Sequence, residues 1–127
     1  MNYRQQFLSE NPLPHSKEAE MAVLSAFFHN SSARGDSDIK VDDLYFEHHR
    51  LIFRVMVEIY FQGKTIDIDS VSEKLSNSNK LEDVGGRSVL ERIFGCPLTE
   101  IDIHIETVKR MAQSRRDMLK SFDKTAL

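Results

Sequence analysis

Between Asp43 and Gly63 the chain reads DLYFEHHRLIFRVMVEIYFQG, and from Arg50 onward this stretch sorts into four rows at i, i+4 spacing. Leu51, Val55 and Ile59 form one row, Ile52, Met56 and Tyr60 a second, and Phe53, Val57 and Phe61 a third. The fourth row, Arg50, Arg54, Glu58 and Gln62, is wholly polar. Neighbouring rows on a helix lie roughly a quarter turn apart, so about three quarters of this surface is apolar. Such a helix needs neighbours on most sides and meets water along one stripe. Gly63 supplies a C′ stop and no proline interrupts the run. The stretch is expected to be the central helix of a small all-α domain.

Shorter helices should surround it. Ser16 is a good N-cap, with Glu18 and Glu20 in the first turn of a helix from Lys17 to about His29. That helix carries Met21, Val23, Leu24, Ala26, Phe27 and Phe28. Before it, Met1 to His15 is polar, contains Pro12 and Pro14, and reads as a flexible leader. The NSSARGDSD segment has the composition of a mobile loop. Ser70 to Glu73 matches a capping box that opens a short helix to about Leu75 or Ser76. Gly85-Gly86 breaks the chain, and Arg87 to Phe94 is a further short helix with Val89, Leu90, Ile93 and Phe94 inward. Gly95 and Pro97 end it.

The last segment has a different character. From Thr99 to Phe122 there is neither Gly nor Pro, giving a helix of about 24 residues and roughly 35 Å. Ile101, Ile105, Val108, Ala112, Arg115, Leu119 and Phe122 recur at alternating spacings of 4 and 3, a heptad seam interrupted by Arg115. Two readings follow: the seam lies on the chain's own core, or its far half packs on a partner helix, within a longer parent chain or across a dimer. Lys109, Arg110, Arg115, Arg116 and Lys120 form a basic cluster on the same helix. A solvated helix end accounts for it, and an acidic protein partner or a phosphate backbone is the alternative.

Composition limits the function classes. The 127 residues carry a net charge of −3, which argues against the whole domain being a nucleic-acid clamp. The single Cys96 excludes an internal disulfide, and no secretory signal or membrane-spanning run occurs, so a cytoplasmic location is expected. Gly63-Lys64-Thr65 ends like a phosphate-binding loop, but the glycine that motif needs five residues earlier is Glu58. His48 and His49 point about 100° apart on a helix and suit a surface or helix-start role rather than a shared metal. Cys96 has no basic neighbour in sequence to activate it. No carboxylate pair suggests acid–base work. The residues describe a helical interaction module with no catalytic, cofactor or metal site.

The order of motifs resembles the N-terminal domain of DnaB-type replicative DNA helicases. The matching pieces are PHSKEAEMAVLSAFF (Pro14–Phe28), DLYFEHHRLIF (Asp43–Phe53), GKTIDIDSVSEKL (Gly63–Leu75) and LEDVGG (Leu81–Gly86), and the likeness runs on through Cys96-Pro97 to about residue 120. This chain departs from the family pattern at Leu44, Thr65, Leu98 and Ile101, and the change at Leu98 moves the expected cap of the long helix to Thr99. The resemblance implies a small orthogonal bundle of about six helices: a leader over 1–15, a globular head over 16–96 and the first half of a helical hairpin over 97–127.

It also implies an oligomerisation and docking role. Such domains form dimers and a hexameric collar that binds primase and, in some systems, a helicase loader. The RecA-like motor, which uses ATP and Mg²⁺ to unwind DNA 5′–3′ at the replication fork, would lie C-terminal and is absent from this chain. The heptad seam falls where the first hairpin helix would be, so the self or partner interface is expected on Ile101, Ile105, Val108, Ala112, Arg115, Leu119 and Phe122, with Lys109, Arg110, Arg116 and Lys120 as candidate charged docking residues. DNA contact by this domain is expected to be weak or absent. The alternatives are a stand-alone loader or inhibitor that binds the helicase, and a nucleic-acid-binding helical module.

Overall fold

The computed structural model describes residues 3–10, 12–31 and 37–125, without the side chains of Arg4, Lys124 and Thr125. Six α-helices and one 3₁₀ turn lie among the described residues: α1 (Tyr3–Glu10), α2 (Lys17–His29), the 3₁₀ turn η1 (Val41–Asp43), α3 (Glu47–Phe61), α4 (Ile68–Asn77), α5 (Arg87–Phe94) and α6 (Ile101–Thr125). No strand occurs among them. Most of the loop expected after α2, residues 32–36, lies outside the described residues.

Capping chemistry sets most of the boundaries. Ser16 Oγ accepts from the Ala19 N–H at 3.2 Å and opens α2 where the sequence places it. At the end of α3, Gly63 takes φ +70°, its N–H donates to the Tyr60 carbonyl, and the Lys64 N–H donates to the Ile59 carbonyl. These two bonds make a Schellman stop. Asn79, at φ +59°, closes α4 in the same way. The start of α4 differs from the expectation. Asp67, not Ser70, is the N-cap: its carboxylate accepts from the Ser70 N–H at 2.7 Å, and Ser70 Oγ accepts from the Asp67 N–H at 3.0 Å. The capping box therefore sits three residues earlier than the Ser70–Glu73 pattern.

The helix that the others surround is α2. Eight of its 13 residues are buried, against five of 15 in α3. Ala19, Ala22 and Ala26 leave no bulk on its surface, so α6, α5 and α3 all approach it. The apolar rows of α3 do not all find cover. Tyr60 and Phe61, at its C-terminal end, are 41% and 73% exposed. Periodicity counts apolar side chains but not the neighbours available to cover them, which is why α3 looked more central than it is.

The core joins Val23, Leu24 and Phe27 of α2 to Ile52, Phe53, Met56 and Ile59 of α3, with Val71, Leu75, Leu90, Ile93 and Phe94 from α4 and α5. Each such side chain contributes roughly 1.5–3 kcal/mol by leaving water. Where α5 ends against α2, Ser25 Oγ–H donates to the Cys96 carbonyl at 2.9 Å and the His29 ring donates to the Phe94 carbonyl at 2.8 Å. The Phe28 and Phe94 rings stack at 4.0 Å over this junction.

Candidate interaction surface

The first half of α6 belongs to the head. It runs along α2, with Val108 and Ala112 each 2% exposed and Ile101 and Ile105 half-buried against the core. Glu100, at φ +55°, precedes the helix, and its carbonyl already accepts from the His104 N–H. The cap position is therefore Glu100 rather than Thr99. For these four seam residues the chain's own core is the partner. Val108 and Ala112 have no surface left to offer another molecule.

Arg115 explains the polar interruption in the seam. It is 7% exposed and bridges two segments remote in sequence. One guanidinium nitrogen donates to the Pro14 carbonyl at 3.0 Å and the other to the Asp43 carbonyl at 2.8 Å. The guanidinium also lies 5.5 Å from the centroid of the Tyr45 ring, which stacks on His15 at 4.2 Å. Burial pulls the Arg115 pKa down, the nearby Glu20 charge opposes this, and Arg50 and Arg116 pull it further down. The fork geometry of arginine is what allows one buried cation to satisfy two carbonyls. Arg115 thus ties the segment before α2 and the turn before α3 onto the base of α6.

Arg116 donates to Asp43 Oδ1 at 2.5 Å, and Asp43 Oδ2 accepts from the Lys40 N–H at 2.9 Å. Arg110 and Lys120 are exposed and Lys109 is half-buried. The basic cluster read from the sequence is therefore divided, with Arg115 and Arg116 engaged inside the chain.

Past Arg115 the last ten residues of α6 run on for about 15 Å. Leu119 is half-buried beside Leu13, Tyr45 and Ala112. Phe122 is half-buried and stacks on Phe7 of α1, with centroids 4.6 Å apart. This contact falls in the stretch that reads as a leader, where the structure has α1 instead. Leu119 and Phe122 are the seam residues that do not pack against the core cluster, whereas the equally half-buried Ile101 and Ile105 do.

The buried pair Glu20 and His49 escapes a search by motif. His49 Nδ1–H donates to the Glu20 carboxylate at 2.8 Å, with the side chains 0% and 2% exposed. The same carboxylate accepts from the Tyr45 N–H at 2.7 Å and the Phe46 N–H at 3.5 Å. It thereby caps the free end of α3 from α2. His49 lies at the helix start, one of the two roles expected of the pair, but buried rather than at the surface. The signal was available, because His49 lies three and four residues before Ile52 and Phe53 and so shares their inward face. His48 beside it is half-buried, its pKa lowered by burial and by the nearby His49 and Lys17.

Other candidates remain chemically plain. The Cys96 thiol is pushed up by burial and by the Glu18 charge, away from thiolate reactivity. Among the described residues no group of three or more His, Cys, Asp or Glu is placed to hold a metal ion. No helix of the described residues is long and apolar enough to cross a membrane. A cleft of about 340 Å³ between the starts of α2 and α3 and the turn before α5 sets Lys17 and Arg92 among Glu82 and Asp83 over Met21 and Val89.

Comparison with known proteins agrees with this fold. A family model described as the DnaB-like helicase N terminal domain matches residues 12–110. The replicative DNA helicase DnaB of Pasteurella multocida (strain Pm70) is 40% identical over 82 residues, which is 63% of this chain and 18% of the relative. The replicative DNA helicase DnaC of Bacillus subtilis (strain 168) is 36% identical over 98 residues, 76% of this chain and 22% of the relative. The chain thus spans about a fifth of the length of these curated relatives. The crystal structure of the N-terminal domain of DnaB helicase from Mycobacterium tuberculosis superposes with a TM-score of 0.75 at 21% identity, covering 82% of this chain and 75% of that one. At that identity the likeness establishes the all-α fold.

Proposed function

The chain belongs to the DnaB-like helicase N-terminal domain family, and on that premise we propose that it is the assembly and partner-docking domain of a replicative DNA helicase. In this reading the head is a rigid base and the far half of α6 is the docking face. Strand separation, with its ATP and Mg²⁺, belongs to a motor domain outside these residues. The observation that carries the reading is the division of α6 at Arg115. Before it the seam packs against the head, with Val108 and Ala112 buried and Ile101 and Ile105 half-buried on the core, and beyond it Leu119 and Phe122 continue the same face outside the core cluster. A heptad face that outlasts its own core suits a partner helix.

Dispersal of the basic cluster weighs against phosphate-backbone binding, because Arg115 and Arg116 already serve Pro14 and Asp43. The test is to mix the chain with the C-terminal domain of the primase from the same organism and measure the mass in solution. A complex supports the docking role. A chain that ignores primase at every concentration, yet binds DNA in a salt-sensitive manner, overturns it.

A further inference from the structure

The cleft between α2, α3 and the turn before α5 gathers polar groups that the fold does not use. Its volume of about 340 Å³ falls in the roughly 300–1,000 Å³ range of small-molecule pockets, and none of its lining residues lies on α6. One of those residues is His49. Its side chain is fully buried, its Nδ1–H is given to Glu20, and Nε2 is left without a hydrogen-bond partner among the described residues. The Glu20 bond fixes the tautomer, so Nε2 of the neutral ring is an acceptor. A buried acceptor without a donor costs free energy that an arriving donor recovers.

The polar lining is divided by sign. Acceptors come from α3 and the turn, as His48, His49, Glu82 and Asp83, and cations come from α2 and α5, as Lys17 and Arg92. Burial, then the charges of His49 and Lys17, lower the His48 pKa, so that ring too is neutral at pH 7. Lys17, Arg92 and Glu82 make no ion pair among the described residues, and Asp83 reaches only Lys80, at 3.8 Å. The two signs thus line one cleft without closing on each other. Met21 and Val89 add half-buried apolar surface to it. A simple anion would meet Glu82 and Asp83, and a simple cation would meet Lys17 and Arg92. A ligand carrying both signs on an apolar body satisfies every group.

We propose that this cleft binds an apolar amino acid as its zwitterion. The ammonium donates to His49 Nε2 beside Glu82 and Asp83, the carboxylate accepts from Lys17 and Arg92, and the side chain covers Met21 and Val89. The half-buried His48 ring, whose centroid lies 4.3 Å from that of His49, turns aside to admit the ammonium. The site is separate from the docking face on α6, so either reading can fail alone.

The test is NMR titration of the full chain with L-leucine, following the His48 and His49 ring signals and the Val89 methyls. N-acetyl-leucine, which lacks the ammonium, and leucinamide, which lacks the carboxylate, are titrated alongside. Leucine is expected to shift these signals saturably with a Kd on the order of 1 mM. Each derivative should bind about tenfold more weakly for want of one charged contact. Arg92→Gln and Glu82→Gln change exposed side chains, so they should melt as wild type does and weaken leucine binding about fivefold. The proposal is overturned if about 10 mM leucine leaves the signals in place. It is equally overturned if either derivative binds as well as leucine, or if either variant binds leucine as tightly as wild type.

Discussion

The His49 ring and the Glu20 carboxylate, 29 residues apart in sequence, meet at 2.8 Å with both side chains withdrawn from water. Glu20 also accepts from the backbone at the start of α3, so one carboxylate fixes the angle at which α3 leaves α2. Glu20→Ala would strand three donors at once and is expected to cost about 3–5 kcal/mol in urea unfolding. Glu20→Gln keeps one acceptor oxygen and should cost less. A Glu20→Ala protein within about 1 kcal/mol of wild type would show that the pair does not carry this junction.

The two glycines before α5 should respond unequally. Gly85, at φ +102°, would bring an added Cβ to 2.5 Å from Val89 Cγ2, whereas Gly86, at φ +81°, faces open space. Gly86→Ala meets backbone strain alone and is expected to cost about 1 kcal/mol. Gly85→Ala meets the same strain and a clash with a half-buried side chain, and should cost at least about 2 kcal/mol. Thermal unfolding of the two variants gives the comparison, and equal losses would contradict it.

His48 gives a pH dependence of known sign. Its folded pKa lies below the ordinary value near 6.5 because burial, then His49 and Lys17, disfavour the charged ring. The unfolded chain therefore binds the proton more readily than the folded one. The stabilisation is complete above about pH 6.5 and is lost as pH falls through the lower folded value. His48→Gln should flatten the fall in stability below pH 6.5 relative to wild type. An unchanged slope would assign the acid sensitivity to other groups.

The sequence was most informative where short-range chemistry decides. Ser16 as a cap, Gly63 as a stop and the Arg87–Phe94 helix all depend on residues within four positions of one another. Asp67 was missed because Ser70 to Glu73 offered a competing pattern on neighbouring residues. Features that depend on distant partners were less accessible. The rank of α2 over α3 follows from three alanines admitting neighbours, which an apolar count undervalues. Arg115 read as an interruption because its acceptors, the Pro14 and Asp43 carbonyls, lie 101 and 72 residues away. The candidate face was half legible: the heptad spacing marked all seven positions, but the division at Arg115 required the head's own packing.

That division makes Val108 and Leu119 unequal. Val108→Asp would bury a charge beside α2 and unfold the head, whereas Leu119→Asp lies beyond the closed core. The most direct measurement is the solution mass of wild type and Leu119→Asp over a concentration series, alone and with the primase C-terminal domain, alongside thermal unfolding of each. The account predicts that wild type self-associates or binds primase, and that Leu119→Asp loses this while its head melts as a folded unit. A Leu119→Asp protein that associates and binds primase as wild type does would contradict the assignment of the far half of α6 as the docking face.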